Sequence, residues 1–351
     1  MAADWSWSEQ FDADGIYVGT ATCGLPPRVT QRAMRSIHDD WARGRIQGPD
    51  FDAVTGESRQ RYARLVSAPV ESVAIGHQVS PLVALIAAAV PDGAEVLVPA
   101  GEFTSVTFPL AAQAHRGVRV REVPLGAIAS EITANTALVA LSAIQSADGA
   151  LADLDAVAVA ADRIGADVLV DLTQAAGWLP VDASRFAYTV CGTYKWLLSP
   201  RGTAFLTVRG DRLDSLVPAQ AGWYAGAAPW DSIYGLPLRL APDARRFDVS
   251  PAWFAWVGTQ ASLGFLEDIG IGALHAHAVA VEHAFAEAAG LDPGPGAIRS
   301  LATDEAAAGI LAAAGVVASV RAGRLRLAFH VNNTVDEGAR LGSLLRGHVH
   351  D

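Results

Sequence analysis

Short apolar runs alternate with longer stretches of helical periodicity through the first two thirds of the chain. Residues 70–75 read as a strand that stops at Gly76. A helix follows over about residues 80–90, with Pro81 tolerated in its first turn, where an N–H has no intrahelical partner to lose. Further strands are expected at residues 94–98, 118–123, 136–142, 167–172, 188–191 and 203–208, and a helix at about 154–164. The seventh strand follows the sixth too closely for a helical crossover, so it should run antiparallel. The rest of the order predicts an α/β domain around a mainly parallel seven-stranded sheet.

From about Phe247 the pattern changes. One long helix is expected over residues 253–288, then a Pro/Gly linker at 291–296 and a strand. A helix at 304–314, strands at 316–321 and 325–329 and a last helix from about Asp336 complete a smaller α+β unit. The expected division is an N-terminal arm at 1–15, a large domain at 16–245 and a C-terminal domain at 246–351 that includes the long connecting helix. Internal repeats are absent, and the Ala-rich stretches are helix filler.

Composition narrows the function. Hydrophobic residues make up 51% and charged residues 18%, as in a folded globular protein. A net charge of −11 argues against nucleic acid as the main partner. Cys23 and Cys191 are too few and too far apart for a disulfide framework or a metal cluster. The N-terminal residues lack a signal-peptide pattern, and the apolar run at 82–90 is too short to span a bilayer. A cytoplasmic protein without membrane attachment is expected.

Lysine usage is the sharpest compositional fact. Of 26 basic residues, Lys195 is the only lysine. Arginine can replace lysine on a solvated surface, but a guanidinium stays protonated and cannot serve as a nucleophilic amine. Compositional drift could also leave one lysine by chance. Its surroundings decide. Asp171 ends an apolar strand at the edge where parallel sheets bind ligands. Gln174 follows three residues later, and Lys195 comes after the next short strand. A turn-capping Asp171 and an exposed Gln174 are the plain alternatives.

The run Asp171–Gln174–Lys195 resembles the core of the class V aminotransferase family, which includes cysteine desulfurases, kynureninases and isopenicillin N epimerase-like proteins. The resemblance spans about residues 16–345. It implies a fold-type-I pyridoxal-phosphate transferase fold, pyridoxal 5′-phosphate as cofactor, and an amino acid or related amine as substrate. It also implies roles. Lys195 is the Schiff-base lysine and later the proton shuttle. Asp171 keeps the ring nitrogen protonated, and Gln174 hydrogen-bonds the phenolic oxygen. His77 and Gln78 follow Gly76 at a strand-to-helix turn suited to the phosphate, although the family often has Thr at both. Phe103 takes the place of an aromatic residue, often His, that stacks on the ring; Phe103 could otherwise be ordinary core. Tyr194 resembles the Tyr that binds phosphate in the kynureninase and epimerase-like branches. Ser250, in Arg246-Phe247-Asp248-Val249-Ser250-Pro251, replaces a Thr that reaches the phosphate of the neighbouring subunit, which implies a homodimer with shared active sites. Arg326, followed by Asn333, Thr334 and Glu337, resembles the arginine that binds the substrate α-carboxylate, with Arg321 and Arg324 as competitors.

Branch assignment rests on what is missing. No cysteine lies in the loop before Arg326, which argues against classical desulfurase chemistry. Cys23 reads as a small turn residue that could also face substrate, and Cys191 as packing. Trp223 and Tyr224 could wall the pocket or lie at an interface. His330 fits the surface of the last strand better than the pocket. No dinucleotide glycine fingerprint and no metal-ligand spacing occur. An aminotransferase is the expected activity. A β-eliminating C–S lyase or an epimerase is the alternative, and a cofactor-binding scaffold or sensor is the non-enzymatic one.

Overall fold

The computed structural model describes residues 6–351. Residues 1–5, which bear on the signal-peptide expectation and on the start of the expected N-terminal arm, lie outside the described residues. Two helices precede the first strand, α1 (Arg28–Ala42) and α2 (Asp50–Leu65). The inner face of α2 buries Thr55, Ser58 and Arg59 beside Phe51 and Tyr62, so hydropathy alone does not reveal it.

The large sheet then forms from seven strands: β1 (Val73–Gly76), β2 (Glu95–Pro99), β3 (Arg119–Val123), β4 (Thr136–Ser142), β5 (Asp167–Asp171), β6 (Tyr188–Gly192) and β7 (Ala204–Val208). Their order is β1-β7-β6-β5-β4-β2-β3. β7 runs antiparallel to both β6 and β1, and every other neighbouring pair is parallel. The first strand starts later than expected, because Pro69 opens a 3-10 turn over Val70–Ser72. Interspersed helices are α3 (Val79–Ala89), α4 (Thr104–Ala111) and α5 (Leu154–Asp162). Strand residues alternate between two cores. Val139, Leu141, Val168 and Val170 pack on one face, and Leu138, Ala140, Leu169 and Val190 on the other. Burial on both faces explains the near-continuous apolar runs.

The expected long helix is two. α6 (Trp253–Ile269) and α7 (Ile271–Ala289) are separated by Gly270 at φ +85°, a conformation that side chains with a Cβ rarely adopt. The break lets α6 pack on α1 and α2 while α7 packs on α9 (Val335–Leu345). The second sheet is antiparallel, ordered β11-β8-β10-β9, with β8 (Ile298–Thr303), β9 (Ser319–Arg321), β10 (Arg324–Ala328) and β11 (Val349–His350). A short helix α8 (Ala307–Ala313) links β8 to β9. α7 and α9 approach closely at Gly342, where an added Cβ would lie 2.2 Å from the Phe285 carbonyl oxygen. Thr334 and Glu337 form a capping box on α9. The N-terminal segment joins this unit: Ile16 and Val18 share its core with Phe285, Leu327 and Leu341. Among the described residues, no helix is long and apolar enough to cross a membrane.

One buried ion pair ties the segment after β7 to the large sheet. Arg59 meets Asp248 at 2.6 Å, both side chains being nearly inaccessible. Asp248 also accepts the Ile75 backbone N–H at 2.8 Å, and Arg59 donates to the Val73 carbonyl. Removing one partner strands the other charge without water. Asp248→Ala should therefore lower unfolding stability by about 3–5 kcal/mol in a denaturant titration.

Candidate active site

Register brings the chemistry together. Asp171 pairs with Val190 across parallel β5 and β6, so the turns after these strands are neighbours at one sheet edge. β1 delivers Gly76 to the same edge, opposite Ala204. The result is an open-mouthed cleft at the strand ends, the edge where parallel sheets bind ligands. It is lined by His77, Gln78, Phe103, Asp171, Gln174, Tyr194 and Lys195 from the sequence-derived set. It is also lined by Ser105, Ser142, Ser146, Thr173, Arg201 and Thr203, to which the sequence reading gave no role.

Lys195 and Asp171 are both buried. Burial pulls the Lys195 ammonium down to about 8, opposed by the Asp171 charge and reinforced by Arg326. Burial likewise pushes the Asp171 carboxyl up to about 6, against a hydrogen bond from the Thr173 backbone N–H at 2.8 Å. Asp171 thus caps a turn and also faces the cleft. The Lys195 Nζ lies 5.3 Å from the Phe103 ring centroid and 5.8 Å from that of Tyr194. Phe103 is 45% exposed, so it is not ordinary core. It opens α4 directly after Glu102, a buried carboxylate held by the Ser142 N–H and hydroxyl and by Gln145.

Gln174 is buried rather than exposed, and its amide orientation is fixed. Its Oε1 accepts the Trp196 indole N–H at 2.7 Å, while Nε2 donates to the Ala21 carbonyl and, at 3.2 Å, to Ser146 Oγ. His330 supports this arrangement from behind. The surface reading of His330 is incorrect, since it is fully buried, with Nε2 2.9 Å from the Trp196 carbonyl oxygen. Burial holds its imidazole neutral, down to about 3.

The turn after β1 leads into α3, whose N-terminus has no side-chain cap. Its free N–H groups point where His77, Gln78 and Val79 line the cleft. An added Cβ at Gly76 would come within 2.8 Å of a Leu82 methyl, so a larger residue there would push that leucine aside. Arg201 contributes the cationic side chain missed in the sequence, its guanidinium carbon 5.0 Å from the Tyr194 ring centroid. The available signal was a basic residue soon after the lysine, in the turn leading to β7.

Ser250 and Arg326 do not line the cleft. Ser250 is exposed, beyond β7. Arg326 stands one residue behind the wall: it donates to Ser146 and, at 2.7 Å, to Thr22 Oγ1. It is 1% exposed, and its Nε has no hydrogen-bond partner. Arg324 is turned away, onto Ser300. Trp223 and Tyr224 are absent from the cleft wall; Trp223 packs on Trp230 and Tyr224, and Tyr224 is core. Cys23 lies in an exposed turn closed by N–H bonds to the Gly19 carbonyl, and Cys191 is buried packing whose thiol burial pushes up.

A sequence model of class V aminotransferases matches residues 19–307. The chain belongs to the class V aminotransferase family. An uncharacterized aminotransferase YcbU from Bacillus subtilis is 30% identical over 87% of each chain. A kynureninase from Deinococcus radiodurans is 28% identical over 79% of this chain and 72% of that protein. Among solved structures, the cystine C–S lyase C-DES, in complex with its product cysteine persulfide, superposes with a TM-score of 0.85 at 20% identity, covering 96% of this chain and 98% of the other. This class V protein therefore has the fold-type-I pyridoxal-phosphate architecture and is a pyridoxal 5′-phosphate enzyme, a transferase or a lyase.

The cleft of this class V enzyme fits that cofactor by the chemistry of its donors. An aldehyde needs an amine that can lose its proton, and Lys195 is such an amine. A protonated ring nitrogen needs a buried anion, and Asp171 is one. A phosphate needs free N–H groups and a cation, which the α3 terminus and Arg201 supply. Only the neutral amine condenses with an aldehyde, so the Lys195 value sets a pH dependence. At pH 7 about a tenth of the amine is neutral, and the fraction rises through pH 8. Adding pyridoxal phosphate to apoprotein should give an incorporation rate that climbs about tenfold per unit below pH 8 and levels off above about pH 9. Borohydride trapping followed by peptide mapping measures it. A rate still climbing past pH 10 would contradict the shift.

Proposed function

We propose that this protein is an aminotransferase that takes an α-amino acid. Lys195 serves as covalent anchor for the cofactor and as the base that moves the substrate's Cα proton. The observation that carries this reading is the cleft itself, which holds one suitably tuned amine beside a buried carboxylate. When bound, the cofactor supplies the electron sink that makes the Cα proton acidic. Asp171 keeps the ring nitrogen charged. Gln174, its amide oriented by Trp196, would turn the N–H now on Ser146 Oγ to the phenolic oxygen. His77, Gln78, Tyr194 and the α3 N-terminus would hold the phosphate, and Phe103 would cover the ring by apolar contact. Lys195 Nζ would then take up the substrate's Cα proton and carry it onward.

Phe103 bears on the choice of reaction. Epimerisation is helped by a second acid or base, and Phe103 has no proton to give. No cysteine lines the cleft, so a persulfide on the protein has no carrier there. A β-eliminating lyase that releases sulfide into solution remains the second reading. It is supported by the activity named for the structural neighbour C-DES and by the same single base.

Arg326 is assigned the substrate α-carboxylate. It is a buried guanidinium with no carboxylate neighbour, held well below its ordinary value, down to about 10, by burial and by Arg321. Ser250 is assigned to the phosphate of a partner subunit, which makes the working unit a homodimer. The division at about residue 246 belongs to the same reading, with Ile16 and Val18 reaching across to the second core. Two unpaired cysteines are consistent with a cytoplasmic setting.

The test is a spectral screen of amino acids with the holoenzyme, assayed for keto acid, pyruvate, sulfide and inverted product. Keto acid that retains the substrate side chain is the expected result; pyruvate with sulfide would make it a lyase, and no spectral change with any amino acid would end the reading. Arg326→Ala should raise the apparent dissociation constant of a reacting amino acid by about a hundredfold while the bound-cofactor absorbance persists.

A further inference from the structure

Two guanidiniums converge on one neutral oxygen behind the cleft wall at Ser146. Thr22 Oγ1 accepts from Arg326 Nη2 at 2.7 Å and from Arg321 Nη2 at 3.2 Å. Neither arginine forms an ion pair among the described residues. Each is a permanent cation, so their approach is repulsive, and a hydroxyl dipole offsets little of it. Among the described residues Asp171 is the only carboxylate that lines the cleft and it already faces Lys195, while Glu102 beside it is taken up by Ser142 and Gln145. A protein of net charge −11 thus concentrates uncompensated positive charge at this point.

The two arginines sit at different depths. Arg326 is buried on β10, with its Nη groups spent on Ser146 and Thr22 and its Nε without a partner. Arg321 ends β9 on the neighbouring strand and is exposed. Its other Nη only reaches the adjacent Val320 carbonyl. One α-carboxylate satisfies the deep guanidinium. The outer one is left over, within reach of the far end of the same small molecule.

We propose that the substrate is a dicarboxylic α-amino acid, with Arg321 binding its side-chain carboxylate while Arg326 holds the α-carboxylate. This rests on the amino-acid reading above and adds the substrate class to it. Thr22 is the hinge of the arrangement: its single oxygen spaces the two guanidiniums and gives way to carboxylate oxygens, which are stronger acceptors. Arg321, in solvent, supplies discrimination more than affinity.

The experiment compares isosteric pairs on the holoenzyme, glutamate with glutamine and aspartate with asparagine, by kcat/KM and by spectral titration. The expected result is a preference of at least about tenfold for one of the acids over its amide. In Arg321→Gln that ratio should fall towards one, chiefly through a higher KM for the acid, and Arg321→Lys should restore part of it. Amides that react as well as the acids would overturn the proposal. So would an equal loss for acid and amide in Arg321→Gln, which would place both guanidiniums on the α-carboxylate. Both results leave the aminotransferase reading standing. A holoenzyme whose spectrum no amino acid alters would defeat both.

Discussion

The active cleft depends on burying two opposite charges that would each rather be in water. Asp171 and Lys195 are both desolvated, and their values move toward one another, the acid up and the amine down. Their mutual attraction limits those movements without cancelling them. The result near neutrality is a carboxylate still largely ionised and an amine of which about a tenth is neutral. The sheet makes this possible because Asp171 ends a strand buried on both faces and Lys195 follows the adjacent strand in parallel register. A different register would separate the pair or expose it.

Around that pair, positioning groups outnumber reacting ones. Trp196 fixes the Gln174 amide, and His330 meets the Trp196 carbonyl. Ser142 and Gln145 hold Glu102, whose carboxylate in turn accepts the N–H of Phe103. Apart from the contact between the neighbours Glu102 and Phe103, these links join residues more than twenty positions apart, so the cleft is assembled by the tertiary fold and not by any one loop. The buried Arg59–Asp248 pair does the same on the β1 side, where the phosphate turn begins.

Much of this was legible in the chain. The seven strands and the antiparallel last member follow from apolar runs, and the resemblance to the class V family implied that Asp171, Gln174 and Lys195 share one site. The limits have physical causes. α2 buries polar residues, so its inner face carries no hydropathy signal. Gly270 divides a stretch whose periodicity continues across it, because one left-handed residue redirects a helix without altering the apolar pattern. His330 read as surface because its burial depends on Trp196, from the turn after β6, and on His277 of α7, both remote in sequence. Arg201 and Ser146 belong to the neighbourhood through turns, where spacing along the chain carries no information about proximity.

The single lysine has a consequence for handling the protein. Among the described residues, the only side-chain amine is buried in the cleft. Reagents that label, crosslink or immobilise proteins through lysine therefore meet a surface with no side-chain target. Apart from the terminal α-amine, any such labelling reports an opened cleft or an unfolded chain, and side-chain amine reactivity becomes a direct gauge of how intact the folded population is.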